Sequence, residues 1–201
     1  MRREPEFPIR QRVILCLALF SLLWLVELLR VMTGADLHMW GILPRTQSGL
    51  KGILCAPFIH VSTKHLLLNS GPLLVLSWLA LTHGPWTFLR VSLVIQVGGG
   101  MAVWALARGS YHVGASGLVM GYLGYLVTRA LLHQSWVSFF VAALAVLTYG
   151  SLLTGVLPSN SHVSWEMHLA GLLAGALAAW GGPPPGAIRQ GDTSARASSA
   201  D

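Results

Sequence analysis

Three apolar stretches of this chain each carry polar groups of a kind that can do hydrolytic chemistry. Ser116 lies in GASG (Gly114–Gly117), His168 opens HLAGLLAG (His168–Gly175), and Asn69 closes HVSTKHLLLN (His60–Asn69). A serine hydroxyl is a weak nucleophile until a base takes its proton. A histidine can be that base, and later the acid that protonates a leaving amine. A serine at a helix start also brings a backbone N–H without an intrahelical partner, which is a donor suited to an oxyanion. His65 and Asn69 are spaced i,i+4 and share one helix face, where both can add side-chain donors. The candidate set is therefore Ser116 as nucleophile, His168 as general base and acid, and His65 with Asn69 as oxyanion-stabilising groups. No carboxylate is placed to complete a triad. Glu166 is two residues from His168 and points elsewhere on the helix, and Glu27 has Arg30 at i+3 as a local partner. A Ser–His dyad is expected.

The elements that must position these groups are membrane helices. Of 201 residues, 54% are hydrophobic and only 10% are charged, against about 25% in a soluble domain. A span needs about 20 apolar residues. Six runs qualify or come close: Val13–Val31, Leu66–Thr82, Phe88–Ala107, Ser116–Leu132, Val137–Leu157 and Leu169–Trp180, the last extended upward by His168. The expected organisation is a cytoplasmic N-terminal segment (1–12), an all-α six-helix membrane domain (13–180) and a disordered Gly/Pro/Ser/Ala-rich tail (181–201). Val13–Val31 is longer than a signal-peptide core and lacks an Ala-x-Ala site, so it reads as a retained helix. The segment between the first two runs is too long for a tight turn and reads as an interfacial, partly helical loop.

The net charge of +6 does not point to nucleic acid. The basic residues flank apolar runs and form no stripe, so they read as topology signals. Arg2, Arg3, Arg10, Arg12, Arg90, Arg129, Arg189 and Arg196 outweigh Arg30, Arg45, Lys51, Lys64 and Arg108 on the other side. That bias puts both termini in the cytoplasm. Cys16 and Cys55 have no metal-binding spacing and read as free thiols.

Depth links the polar groups. Ser116 to Arg129, His168 to Gly181, and Asn69 to His83 each cover thirteen or fourteen residues, or about 20 Å at about 1.5 Å per residue. In a core about 30 Å thick, all three side chains come out about 10 Å below the outer surface. Alone, each has a plainer reading. A membrane-helix serine usually bonds back to the preceding turn, and helix glycines mean tight packing. His60 reads as a capping or interfacial residue, and His38, His83, His112, His133 and His162 as solvated at run ends or loops.

HxxxxHxxxN, GxSG and HxxGxxxG, in that order on the second, fourth and sixth spans, resemble the motifs of the rhomboid intramembrane proteases. The loop GILPRTQSGLKG (Gly41–Gly52) is also similar to bacterial members. The resemblance implies a six-transmembrane-helix rhomboid-like bundle with an interfacial loop between helices 1 and 2. It implies a Ser116–His168 dyad with His65 and Asn69 contributing to the oxyanion site, and no cofactor. The implied substrates are single-span membrane proteins cut within or beside their spanning segment. The implied location is the bacterial inner (plasma) membrane. Met120 stands where many bacterial members carry a tyrosine packed under the histidine; a methionine can fill that gap against the ring. Two other readings compete: a catalytically silent rhomboid-like protein that binds membrane clients, and a haem or proton carrier built on His65 and His168.

Overall fold

The computed structural model describes residues 7–133, 139–140, 143, 146–147, 157 and 164–181. Among these residues the architecture is helical, and the lone strand-like feature is an isolated bridge between Ile42 and His112. The expected run Val137–Leu157 lies almost wholly outside the described residues.

Helix α1 spans Ile9–Thr33 and stops at Gly34, whose φ of 65° gives the left-handed cap that glycine adopts without strain. Most of its apolar side chains point outward, including Leu17, Leu25, Leu28 and Leu29. An exposed apolar surface of this extent marks contact with a membrane or another protein. Its inner face carries Cys16, Leu23 and Glu27. Next come a 3-10 turn at His38–Trp40, another at Ser48–Lys51, the short helix α2 (Gly52–Cys55) and a third 3-10 turn at Ala56–Phe58. The connection is thus partly helical, as its length and composition suggested. Both Cys16 and Cys55 are free thiols.

Helix α3 spans Thr63–Leu81, with the Ser62 hydroxyl accepting from His65 N–H at its start. It runs antiparallel to α1 through three polar rungs. The Cys16 Sγ lies 3.6 Å from Ser77 Oγ, Trp24 Nε1 donates to Ser70 Oγ at 3.2 Å, and Thr63 Oγ1 donates to Glu27 at 2.6 Å. Glu27 is also held by Arg30 Nε and Nη2, at 2.9 and 2.7 Å, which bears out the local pair. A hydrogen bond to a charged acceptor contributes about 1.5–3 kcal/mol. Glu27→Ala should therefore lower stability by about 1–3 kcal/mol, read as thermal unfolding in detergent, whereas Glu27→Gln should lose less.

A turn with Gly84 at φ 94° leads to Pro85, the first residue of α4 (Pro85–Leu93). A π-helical stretch, Val94–Gly99, joins α4 to α5 (Gly100–Leu106) without a break. The wider turn directs Gln96, whose side-chain amide donates to the Ile53 carbonyl in α2. Helix α6 (Ser116–His133) runs through the centre, with Val119, Met120, Tyr122, Leu123 and Tyr125 each at most 1% exposed. Helix α7 covers Trp165–Trp180.

Two described helices are long and apolar enough to cross a membrane by themselves: Ile9–Thr33 and the continuous Pro85–Leu106. The other described helices are shorter or more polar. Helix α3 carries Lys64, His65, Asn69, Ser70 and Ser77, α6 begins at the half-buried Ser116, and α7 carries the buried His168 in its first turn.

Candidate active site

Helices α6 and α7 meet backbone to backbone. A Cβ built on Gly171 would lie 2.2 Å from the Gly117 carbonyl oxygen, and one on Gly175 would lie 1.8 Å from that of Gly121. Only glycine permits such an approach, which is the small-residue packing of membrane helices. The contact begins at the helix heads. Gly117 faces Met167, with Met167 Cγ at 3.0 Å and Met167 O at 3.7 Å from where a Gly117 Cβ would stand. Ser116 directly precedes Gly117, and His168 directly follows Met167. The serine and the histidine therefore occupy facing turns at one level of the paired helices.

Ser116 is half-buried and is the first residue of α6. The turn before it is held from three sides. Gly114 N–H donates to Ala56 O at 2.9 Å, and Ala115 N–H donates to His60 Nε2 at 3.2 Å. Gly114 sits at φ 117°, and a Cβ there would come within 2.8 Å of the His65 ring. His65 thus packs directly against the GASG turn. Asn69 is buried one helical turn deeper; its side-chain amide donates to His65 O at 3.1 Å, which leaves the second amide hydrogen for another acceptor. His168 is buried, and its backbone N–H donates to Ser164 O at 3.2 Å. Among the described residues no hydrogen bond joins the Ser116 hydroxyl to the His168 ring directly. In substrate-free enzymes such a contact is commonly long and tightens when the reacting group binds.

A cavity of about 30 Å³ adjoins the two helix heads, lined among others by Gln96, Gly99, Gly114, Gly117, Met167 and Gly171. It has room for about one water.

Two of the histidines placed at run ends or loops are buried. His60 is 1% exposed and lies edge-on to His65, with ring centroids 5.1 Å apart. His112 is also 1% exposed and bridges to Ile42. His83 stays partly exposed while packing edge-on against Tyr125. A lone polar residue at a run end usually meets water. The loops before α3 and α6 instead fold back into the bundle. His38 stays partly exposed beside Asp36, as expected, and Glu166 pairs with Arg108 at 3.2 Å, away from His168.

Burial, reinforced by the neighbouring His65, pushes the His60 imidazole down to about 4. It is therefore neutral at physiological pH and can accept the Ala115 N–H. Between about 4 and the ordinary value of 6.5, the unfolded chain takes up a proton that the folded chain refuses, so stability falls as pH falls through that window. Thermal unfolding measured from pH 7 down to pH 4 should show this loss, and His60→Gln, which keeps an acceptor without the titration, should flatten the profile.

With the site described, its kinship can be stated. The Rhomboid domain profile matches residues 47–184, and the chain belongs to the rhomboid family. It is 35% identical over 173 residues to an uncharacterized protein of Mycobacterium tuberculosis, covering 82% of this chain and 72% of that one. An uncharacterized protein of Mycobacterium leprae is 34% identical over 174 residues, covering 82% and 68%. The family consists of integral membrane proteins, which agrees with the outward-facing apolar surface of α1.

Proposed function

We propose that this protein is an intramembrane serine endopeptidase that cuts single-span membrane proteins within or beside their transmembrane segment. Ser116 attacks the scissile carbonyl and His168 takes its proton, then returns it to the leaving amine. His65, the second amide hydrogen of Asn69 and the backbone N–H of Ser116 stabilise the oxyanion. The observation that carries this reading is the glycine-to-carbonyl contact of α6 with α7, which sets the first turns of both helices face to face at Ser116 and His168. The family resemblance implies substrates with helix-weakening small residues near the cut site.

In this reading the bundle has six spans, the fifth formed by residues 137–157, and both termini lie in the cytoplasm of a bacterial cell. Ser116 and His168 then face the outer leaflet. The test is reconstitution of the purified protein in liposomes with a single-span substrate. The expected product is a pair of fragments whose new termini, read by mass spectrometry, map inside or next to the span. Cleavage confined to soluble, unstructured segments, with the span always intact, would refute it.

A further inference from the structure

The loop that delivers Ser116 is tied to the cap of the helix that delivers His168, and the tie runs through two residues outside the proposed dyad. His112 lies four residues before Ser116, and Ser164 lies four residues before His168. His112 Nδ1 is 2.6 Å from Ser164 Oγ. Ser164 is the N-cap of α7: its hydroxyl oxygen accepts from Met167 N–H at 3.2 Å, and its carbonyl accepts from His168 N–H at 3.2 Å. So one residue holds two successive backbone donors of the turn that bears His168: the Met167 N–H, which has no intrahelical acceptor, and the His168 N–H, the first regular helical bond.

The proton positions follow from chemistry. His112 Nε2 lies 3.1 Å from the Arg108 carbonyl, which can only accept. Nε2 therefore carries the hydrogen, and in the neutral ring Nδ1 is a bare acceptor. The Ser164 hydroxyl must then donate to Nδ1 while its lone pair accepts from Met167 N–H. Every polar atom of the pair is used once in its proper sense. Burial of His112 favours the neutral ring that this arrangement needs.

The His112 end is itself fixed. Its backbone exchanges both bridge hydrogen bonds with Ile42, at 3.0 and 2.9 Å. A second tie crosses the same junction, from Arg108 in the loop to Glu166 on α7 at 3.2 Å. The glycine contacts set how closely α6 and α7 approach, and the hydrogen bond between His112 and Ser164, with the Arg108–Glu166 pair beside it, ties the first turn of α7 to the loop that leads into α6.

We propose that His112 and Ser164 form a positioning clasp that holds the head of α7 in register with the head of α6, so that the His168 ring is presented to Ser116. The clasp rests on the dyad reading above. Neither residue touches substrate; both act through the placement of His168. A misplacement of about 1 Å can cost on the order of 100-fold in rate, and loss of the clasp is expected to lower kcat between about 10- and 100-fold with KM little changed.

The experiment measures the labelling rate of Ser116 by a fluorophosphonate, together with kcat and KM on a single-span substrate, for purified wild type, His112→Ala, His112→Asn, Ser164→Ala and the double alanine variant. Each is assayed well below its own unfolding temperature. Slower labelling in both alanine variants, a fall in kcat at constant KM, a double variant no slower than either single one, and recovery in His112→Asn support the clasp. Asn supplies an acceptor near the place of Nδ1, so its recovery separates positioning from mere volume. If His112→Ala does not fold, Ser164→Ala carries the same expectation, since it removes only a hydroxyl. Labelling of Ser164→Ala at the wild-type rate would overturn the clasp, as would additive effects in the double variant or an Asn variant as slow as Ala. Wild type that does not label at all would be a different failure, that of the dyad itself.

Discussion

Replacing Ser116 by alanine should lower cleavage of a single-span substrate by at least about 1,000-fold while the protein still folds. Groups that act as one unit in nucleophilic catalysis lose most of their rate enhancement when any one is removed, and the remainder comes from binding and oxyanion donors. The Ser116 hydroxyl is half-buried at the first position of α6, so its loss should change stability by no more than about 1 kcal/mol. His168→Ala should cause a loss of the same order, and the double variant should be no worse than either single one. The comparison is made by initial rates in liposomes, with thermal unfolding of each variant as the folding control. Independent, multiplying losses would mean that the two residues do not work on the same step.

The second large effect is expected at Gly175. An alanine Cβ there would sit 1.8 Å from Gly121 O and 2.6 Å from Gly121 C. Both are backbone atoms of a buried helix and cannot rotate away. An ordinary carbon–oxygen contact is about 3.3 Å, so α6 and α7 would have to part by about 1.5 Å. Overpacking of this kind costs about 1–3 kcal/mol, and the displacement carries His168 away from Ser116. Gly175→Ala should therefore lose on the order of 100-fold in activity as well as thermal stability. Gly71, on the outer face of α3, has no atom within 4 Å of its built Cβ. Gly71→Ala should leave activity unchanged and raise stability by up to about 1 kcal/mol through helix propensity. A Gly175→Ala variant as active and stable as Gly71→Ala would mean that the close helix contact is not needed.

The helices were legible because their signal is repeated over many residues. The runs at Val13, Leu66, Phe88, Ser116 and Leu169 all became helices within a few residues of the expected bounds. The glycines of α6 and α7 announced a close approach, and the spacing of His65 and Asn69 put both on one helix face, where His65 meets the GASG turn. What escaped was carried by single residues in loops. His60 and His112 were read as interfacial or solvated, because one polar residue at a run end carries no information about which way its loop turns. Burial comes from the loop's return path, fixed by distant partners such as Ala115 and Ile42. Likewise the π-helical turn at Val94–Gly99 leaves no periodic trace in an apolar, glycine-rich stretch. Its effect, the tie from Gln96 to Ile53, is visible only in three dimensions.

The most direct test of the account is covalent labelling in membranes by a fluorophosphonate, with the modified residue located by mass spectrometry. The phosphorus is expected on Ser116 Oγ in the wild type, with labelling lost in Ser116→Ala and strongly slowed in His168→Ala. Adducts on another serine, or labelling of His168→Ala at the wild-type rate, would contradict the claim that a base on α7 activates a nucleophile on α6.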